Sequence, residues 1–299
     1  FGPCIESFAN GLELVNSVFM QYSLKGSSVK ELDMKVVDVG WGFERLLWYY
    51  SGDVTAYDAI FPKEIEFVKK KAGLRIPEEL VKKYARISGS LNVEEVHNLR
   101  EEKEKIASKL GISSRQLEET IAPLQGVYAI ADHARCLLIA LSDGAIPSNT
   151  AGGYNLRVIL RRALGFINEY SLGIELLDVM ELQARDLKPM FPELLENLES
   201  VKKIVGVEKR KYGESLEKAK RIAGEIVVKK EPLTVEKMTL LYESHGITPE
   251  LLEKVAAEQK SAVSIPSEFY KKLTETHLME EKKTEEIDVK AKPTELIFY

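Results

Sequence analysis

The spacing of apolar residues changes once, near Pro62, and that change limits the possible fold more than any other feature of the chain. Before it, Leu14-Val15-Asn16-Ser17-Val18-Phe19-Met20-Gln21-Tyr22 is rich in β-branched and aromatic residues and reads as a strand. Lys25-Gly26-Ser27-Ser28 reads as a turn, and Met34-Lys35-Val36-Val37-Asp38-Val39 as a second strand. The second strand runs directly into Gly40-Trp41-Gly42, after which Phe43, Leu46, Leu47 and Tyr50 fall on one helical face. Beyond Pro62, segments rich in Glu, Lys, Leu and Ile are punctuated by Gly, Pro and Ser, and the reading is almost entirely helical. A mainly α chain is expected, with a strand-containing part at 1–60, a helical domain at 61–285 and a linker with the start of a further domain at 286–299.

Within the helical part, Val93 to Leu110 is highly charged with few apolar positions and reads as a solvated helix or hairpin arm. Gly126 to Leu141 is apolar nearly all round, as expected of a buried central helix. Tyr154 to Tyr170 reads as a helix introduced by a polar, Gly-containing loop, and Val201 to Lys230 as a long amphipathic helix. Thr274 to Lys290 has little apolar content and reads as a linker, and Pro293 to Tyr299 as a strand cut off at its start. No internal repeat is evident.

Composition narrows the class further. The 299 residues suffice for two domains, and 44% hydrophobic with 30% charged content suits a soluble, helix-rich protein. No apolar run is read as long enough to span a bilayer, and no basic-then-apolar leader is seen at Phe1, so a cytoplasmic, membrane-free location is expected. The chain begins Phe1-Gly2-Pro3 without an initiator Met, so a fragment or mature piece is expected. Cys4 and Cys136 lie far apart and neither belongs to a CxxC, which leaves two buried free thiols as the expectation in place of a disulfide framework or zinc site. The net charge of −5 argues against non-specific coating of nucleic acid and leaves room for one local basic stripe.

Two constellations carry chemistry. In Asp38-Val39-Gly40-Trp41-Gly42-Phe43-Glu44-Arg45, a strand, a GxG turn and a helix with an Arg in its first turn follow one another. Glycines let a flat base approach the backbone, a guanidinium can stack on that base or pair with phosphate, and the Asp could hold an ammonium group. A tight strand-to-helix connection with a surface Arg suits the same residues. The second constellation runs from Ile130-Ala131-Asp132-His133-Ala134-Arg135-Cys136 through Asp143-Gly144-Ala145-Ile146-Pro147-Ser148-Asn149 to Gly152-Gly153-Tyr154-Asn155-Leu156-Arg157-Val158-Ile159-Leu160-Arg161-Arg162-Ala163. Arg157 and Arg161 share a helix face with Arg162 beside them, the Gly-Gly pair offers N–H groups at a helix start, and Asn149 can present a donor and an acceptor to a base edge. An ordinary capped helix with a solvated basic face is the plainer reading. His133 reads as a structural residue, His245 as a loop residue, and no His/Cys group has metal spacing.

Val37-Asp38-Val39-Gly40-Trp41-Gly42-Phe43-Glu44-Arg45-Leu46 resembles motif 3 of class II aminoacyl-tRNA synthetases in the form used by the alanyl-tRNA synthetases, and Leu12 to Tyr22 resembles the strand before it. The Ile130 to Ala163 block resembles the segment of that family that grips the tRNA acceptor stem, and Leu241-Tyr242-Glu243-Ser244-His245-Gly246 its Leu-Tyr-Asp-x-x-Gly pattern. The resemblance implies the end of an antiparallel-sheet α+β catalytic domain followed by a helical tRNA-recognition domain. It implies ATP contacts at Gly40, Gly42 and Arg45, with Arg45 catalytic. It implies that Asp38 binds the α-amino group of alanine while Asn16, Val18 and Gly40 shape the pocket around its methyl group. Asn149 and Glu243 would read the G·U pair of alanine tRNA, with Arg157, Arg161 and Arg162 along the RNA. Glu243 stands where the pattern has Asp, which keeps the carboxylate but extends its reach by one methylene.

ATP-dependent activation of alanine and its transfer to tRNA is the implied reaction. Magnesium is expected on the ATP phosphates and zinc is not expected in this part of the family's architecture. Motifs 1 and 2 are absent from the sequence and an editing domain would follow Tyr299. The chain therefore reads as an excised fragment, a split subunit or a partial sequence, inactive alone and partnered with an N-terminal catalytic half and a C-terminal editing domain. A non-catalytic tRNA-binding module and a helical scaffold are the alternatives.

Overall fold

The computed structural model describes residues 1–266 and Phe269, except Ser27, 89–98 and Gly246; the side chains of 99–102, Ala151, 243–245 and Glu250 also lie outside the description. The linker read at Thr274–Lys290, the strand read at Pro293–Tyr299 and residues 93–98 of the charged arm fall outside the described residues. The chain divides into two compact units at Ile60/Phe61.

The first unit is a three-stranded antiparallel sheet in the order β1 (Cys4–Ala9), β2 (Leu12–Lys25), β3 (Ser28–Trp41), followed by helices α1 (Phe43–Ser51) and α2 (Ala56–Ile60). Both predicted strands are present and longer than read. Strand β1 was not foreseen, although Asn10-Gly11 is a strong hairpin signal. Asn10 (φ 51°) and Gly11 (φ 83°) take the left-handed conformations that a two-residue hairpin turn between Ala9 and Leu12 requires. α1 ends at Gly52, whose left-handed backbone (φ 72°) lets its N–H reach the Trp48 carbonyl. Many large apolar side chains of this unit are exposed, among them Ile5, Phe8, Met34, Val37, Trp41 and Phe43.

The second unit is helical: α3 (Pro62–Ala72), α4 (Glu78–Ser88), α5 (Leu99–Leu110), α6 (Ser114–Ser142), α7 (Ala151–Glu169), α8 (Leu176–Leu187), α9 (Glu193–Glu196), α10 (Leu198–Lys229), α11 (Val235–His245) and α12 (Pro249–Glu258). Its axis is α6, the central helix expected from Gly126 to Leu141. It starts in a capping box, in which the Ser113 hydroxyl accepts from the Gln116 N–H while the Gln116 side chain accepts from the Ser113 N–H. Val127, Ile130, Ala131, Ala134, Leu137 and Leu138 are fully buried, and α7, α8, α3 and α10 pack around them. By length and composition alone α6 could cross a membrane, contrary to the expectation that no segment could; 56% of its most apolar window is buried within the unit, as in a core helix.

Two sequence expectations are corrected. α5 is not simply a solvated arm: Ile106 and Ala107 are buried with Leu117 and Ile121 of α6, backed by Leu80, Tyr84 and Ile87. A few apolar residues sufficed because they fall on one side of the helix. Cys4 and Cys136 are both exposed, not buried. Cys4 lies in the uncovered sheet, and Cys136 lies on α6 between buried positions that face the other way.

Candidate functional site

In β2 and β3, Asn16 pairs with Gly40 and Val18 with Asp38. Side chains alternate along a strand, so these four positions share one sheet face. Cys4 and Glu6 of β1 pair with Val18 and Asn16 and continue the same rows. The Cys4 Sγ donates to Asn16 Oδ1 at 3.1 Å, and Asn16 Nδ2 donates to Glu6 Oε1 at 3.5 Å. The Asn16 amide is thereby oriented by neighbours that sequence reading did not single out. Asp38 is exposed, and its carboxylate meets no hydrogen-bond donor among the described residues. A Cβ added at Gly40 would meet nothing nearer than the Asn16 carbonyl at 4.0 Å, so the space over it is open.

Arg45 is placed differently. Gly42 precedes α1, its N–H donating to the Leu14 carbonyl at 2.9 Å. A Cβ there would come within 3.0 Å of Arg45 Cδ, so the glycine leaves room for the Arg45 chain to fold back. The guanidinium Nη1 donates to the Glu13 carbonyl at 3.2 Å and pairs with Glu13 Oε2 at 2.9 Å. A β-bulge at Ser7/Phe8 separates Glu13 from Asn16, so simple strand alternation does not carry from one to the other. The structure thus gathers Asn16, Val18, Asp38 and Gly40, and ties Arg45 to a neighbouring carboxylate. Such a half-exposed pair holds by only about 0–1 kcal/mol.

In the helical unit, the loop between α6 and α7 presents Asn149. The Ser148 N–H donates to the Gly153 carbonyl at 2.9 Å, and its hydroxyl donates to the Thr150 carbonyl at 2.9 Å. A Cβ on Gly153 would stand 2.3 Å from Ser148 Oγ and 2.6 Å from the Ile146 carbonyl, so the close turn demands glycine there. Gly152 and Gly153 belong to the first turn of α7, not to the loop before it, and the helix starts without a side-chain cap from Thr150. Arg157 and Arg161, one turn apart, do not form a solvated face. Arg157 Nη1 donates to Asn149 Oδ1 and its Nε lies 3.0 Å from Glu208 Oε1. Arg161 reaches the same Glu208 oxygen from Nε and Nη2, each at 2.8 Å. Glu208, on α10, is 3% exposed. Sequence reading missed it because it is one of many Glu residues in a helix read as amphipathic. Arg162 is exposed. Glu243 lies on α11, and its side chain is outside the described residues, as is that of His245.

His133 is largely buried, with Nδ1 3.2 Å from Asp132 Oδ2. Arg135 lies 4.5 Å over the Phe61 ring and 3.7 Å from Glu64, whose carboxyl is pushed up by burial more than Arg135 pulls it down. Among the described residues no three His, Cys, Asp or Glu side chains gather closely enough to hold a metal ion.

Comparison with known proteins identifies the family. A family model described as class II (A) tRNA synthetases matches residues 3–297. The chain is 34% identical over 313 residues to an alanine–tRNA ligase of Methanococcus maripaludis strain C5, covering 100% of this chain and 35% of that protein. It is 37% identical over 305 residues to the alanine–tRNA ligase of Methanothermobacter thermautotrophicus, with 100% and 34% covered. It is 39% identical over 290 residues to that of Methanocella arvoryzae, with 97% and 32% covered. The chain spans about a third of the length of these relatives. A match running almost end to end, over both the sheet and the helical unit, leaves one conclusion: the chain belongs to the class II tRNA synthetases.

Proposed function

We propose that this chain is the part of a cytoplasmic alanine–tRNA ligase that carries its final active-site strands and its acceptor-stem reader. The observation that carries the reading is the common sheet face of Asn16, Val18, Gly40 and Asp38. On it, the unpaired Asp38 carboxylate takes the α-ammonium of alanine, and Asn16, Val18 and Gly40 border the methyl group. Bulk at this face must exclude larger amino acids, because one methylene is worth only about 1–3 kcal/mol of discrimination. Gly40 and Gly42 leave space for the nucleotide, and Arg45 leaves Glu13 to meet ATP. The alanine carboxylate attacks the α-phosphate and pyrophosphate departs, leaving alanyl-adenylate; the terminal ribose hydroxyl of the tRNA then attacks the alanyl carbonyl, giving the ester with release of AMP and the hydroxyl proton. The residues contribute position and charge stabilisation. Magnesium would accompany the ATP phosphates, and no described residue is assigned to it.

In the helical unit, Asn149 and Glu243 read the G·U pair, while Arg157, Arg161 and Arg162 border the RNA. The exposed β3 side chains Val36, Val37, Val39 and Trp41 favour a second statement within this reading. Alone, the chain binds acceptor stems, and it activates alanine only with an N-terminal catalytic half covering that sheet. An editing domain would be the further partner. Alanine-dependent ATP–pyrophosphate exchange tests the catalytic role in the ligase containing this chain. Arg45→Ala should cut it at least a hundredfold, since one lost contact to developing phosphate charge costs about 100- to 1,000-fold. Near wild-type exchange would refute the assignment.

A further inference from the structure

An exposed asparagine has two faces to offer: its carbonyl accepts and its amide donates. Nothing in Asn149 itself selects between them. Arg157 does, because a guanidinium has only donors, and the nitrogen that meets Asn149 fixes the meeting atom as Oδ1. Arg157 is held in turn: its Nη2 donates to the Pro147 carbonyl at 3.5 Å, and its Nε lies 3.0 Å from Glu208 Oε1 as a charge contact without the alignment of a hydrogen bond. The carboxylate that holds it is almost fully buried and comes from α10, far along the chain from α7. Arg161 closes on the same oxygen from the next turn, which stops the carboxylate from following Arg157 outward.

We propose that Glu208 is a positioning residue for RNA reading: through Arg157 it turns the Asn149 side chain so that the Nδ2 donor faces the RNA. This inference rests on the proposed role of Asn149. It specifies the chemistry of the reader. A fixed donor is satisfied by a base carbonyl and opposed by a base amino group. In the wide minor groove of an A-form stem, a wobble-paired uracil sets its O2 carbonyl away from the place of a Watson–Crick cytosine O2, so a donor held in one direction can fit the G·U pair and miss G·C. It also separates affinity from discrimination. Glu208 neutralises part of the charge of two arginines that would otherwise attract any phosphate backbone.

The test measures binding of this chain to two fluorescent acceptor-stem hairpins differing only in G·U against G·C, at fixed salt, for wild type and for Glu208→Gln, Glu208→Asp and Arg157→Lys. Wild type should prefer G·U. Glu208→Gln should lower that preference about tenfold while the G·C hairpin binds as tightly as before or more tightly, because two guanidinium groups lose their counter-ion. Glu208→Asp should recover part of the preference. The side-chain amide resonance of Asn149 should move in Glu208→Gln. A merely structural role would weaken both hairpins together and leave their ratio unchanged. If Glu208→Gln does not fold, Arg157→Lys, which keeps the charge and loses the fork, must lose the preference by itself. Wild-type discrimination retained in these variants overturns the role of Glu208 alone. No discrimination by wild type overturns the reading of Asn149 and this inference with it.

Discussion

Gly153→Ala isolates the geometry that presents Asn149. Gly153 has an ordinary helical backbone, so alanine is conformationally allowed, and in the first turn of α7 it would gain up to about 1 kcal/mol of helix propensity. Against this stands the space: its Cβ would be 2.3 Å from Ser148 Oγ and 2.6 Å from the Ile146 carbonyl, and the second contact is with backbone that cannot rotate away. Overpacking of this kind costs about 1–3 kcal/mol. The sum runs from roughly neutral to about 2 kcal/mol destabilising. Gly152 provides the internal control, because a Cβ there meets nothing within 4 Å and keeps the propensity gain. Urea unfolding should therefore rank Gly152→Ala as stable as wild type or more so, with Gly153→Ala below it by about 1–3 kcal/mol. The strain is relieved by moving the 146–149 loop, so Gly153→Ala should also lose preference for a G·U hairpin, while Gly152→Ala keeps it. Equal stability and equal preference in the two variants would refute the reasoning.

Glu64 makes stability depend on pH. Burial raises its carboxyl above the ordinary 4.5, so the folded chain keeps the proton longer than the unfolded chain does. As pH rises through the ordinary carboxylate range the unfolded state ionises first and stability falls, levelling off once the raised value is passed. Glu64→Gln removes that slope, so its unfolding free energy relative to wild type should increase between about pH 4 and pH 7; a constant difference in urea melts would contradict this. Leu138→Ala, at a fully buried position on α6, should cost about 2–5 kcal/mol in the same assay, and a loss under about 1 kcal/mol would show that α6 is not the packed axis of its unit.

The sequence was most legible where one period persists. Gly126 to Leu141 announces a buried helix because every face is apolar, and the structure buries it. The two strands around Val18 and Val37 follow from β-branched runs, and the Asp38-to-Arg45 pattern locates a strand and a helix, but the turn read at Gly40-Trp41-Gly42 is not there: β3 continues through Trp41 and only Gly42 separates it from α1. β1 was lost because Cys4 to Ala9 has no strong alternation of its own and is defined by pairing with β2. The arm around α5 was misjudged because two apolar side chains, Ile106 and Ala107, set against Leu117 and Ile121 of α6, can bury one side of a helix that is otherwise charged. The site was legible in its residue types and illegible in its partners. Nothing in the local sequence tells that Arg157 and Arg161 converge on Glu208, because that carboxylate arrives from another helix. Likewise, the Arg45 pair with Glu13 depends on how β2 lies against the start of α1.

Those partners bear on how an acidic chain would meet RNA at the proposed contact. A surface that binds phosphates by charge alone holds any duplex, and its affinity decays with salt as counter-ions compete. Here two of the three arginines in the proposed contact region share one buried carboxylate, which reduces the charge available for that indiscriminate attraction. The loss of raw affinity comes with a gain in order. A guanidinium held on two sides cannot wander, and the amide it holds keeps one face toward solvent. Removing the carboxylate would release the attraction and the motion together, so affinity and selectivity should change in opposite directions. A net charge of −5 therefore does not count against an RNA role at this site. It fits a design in which recognition depends on fixed hydrogen-bond donors, with the few exposed cations such as Arg162 left to place the backbone.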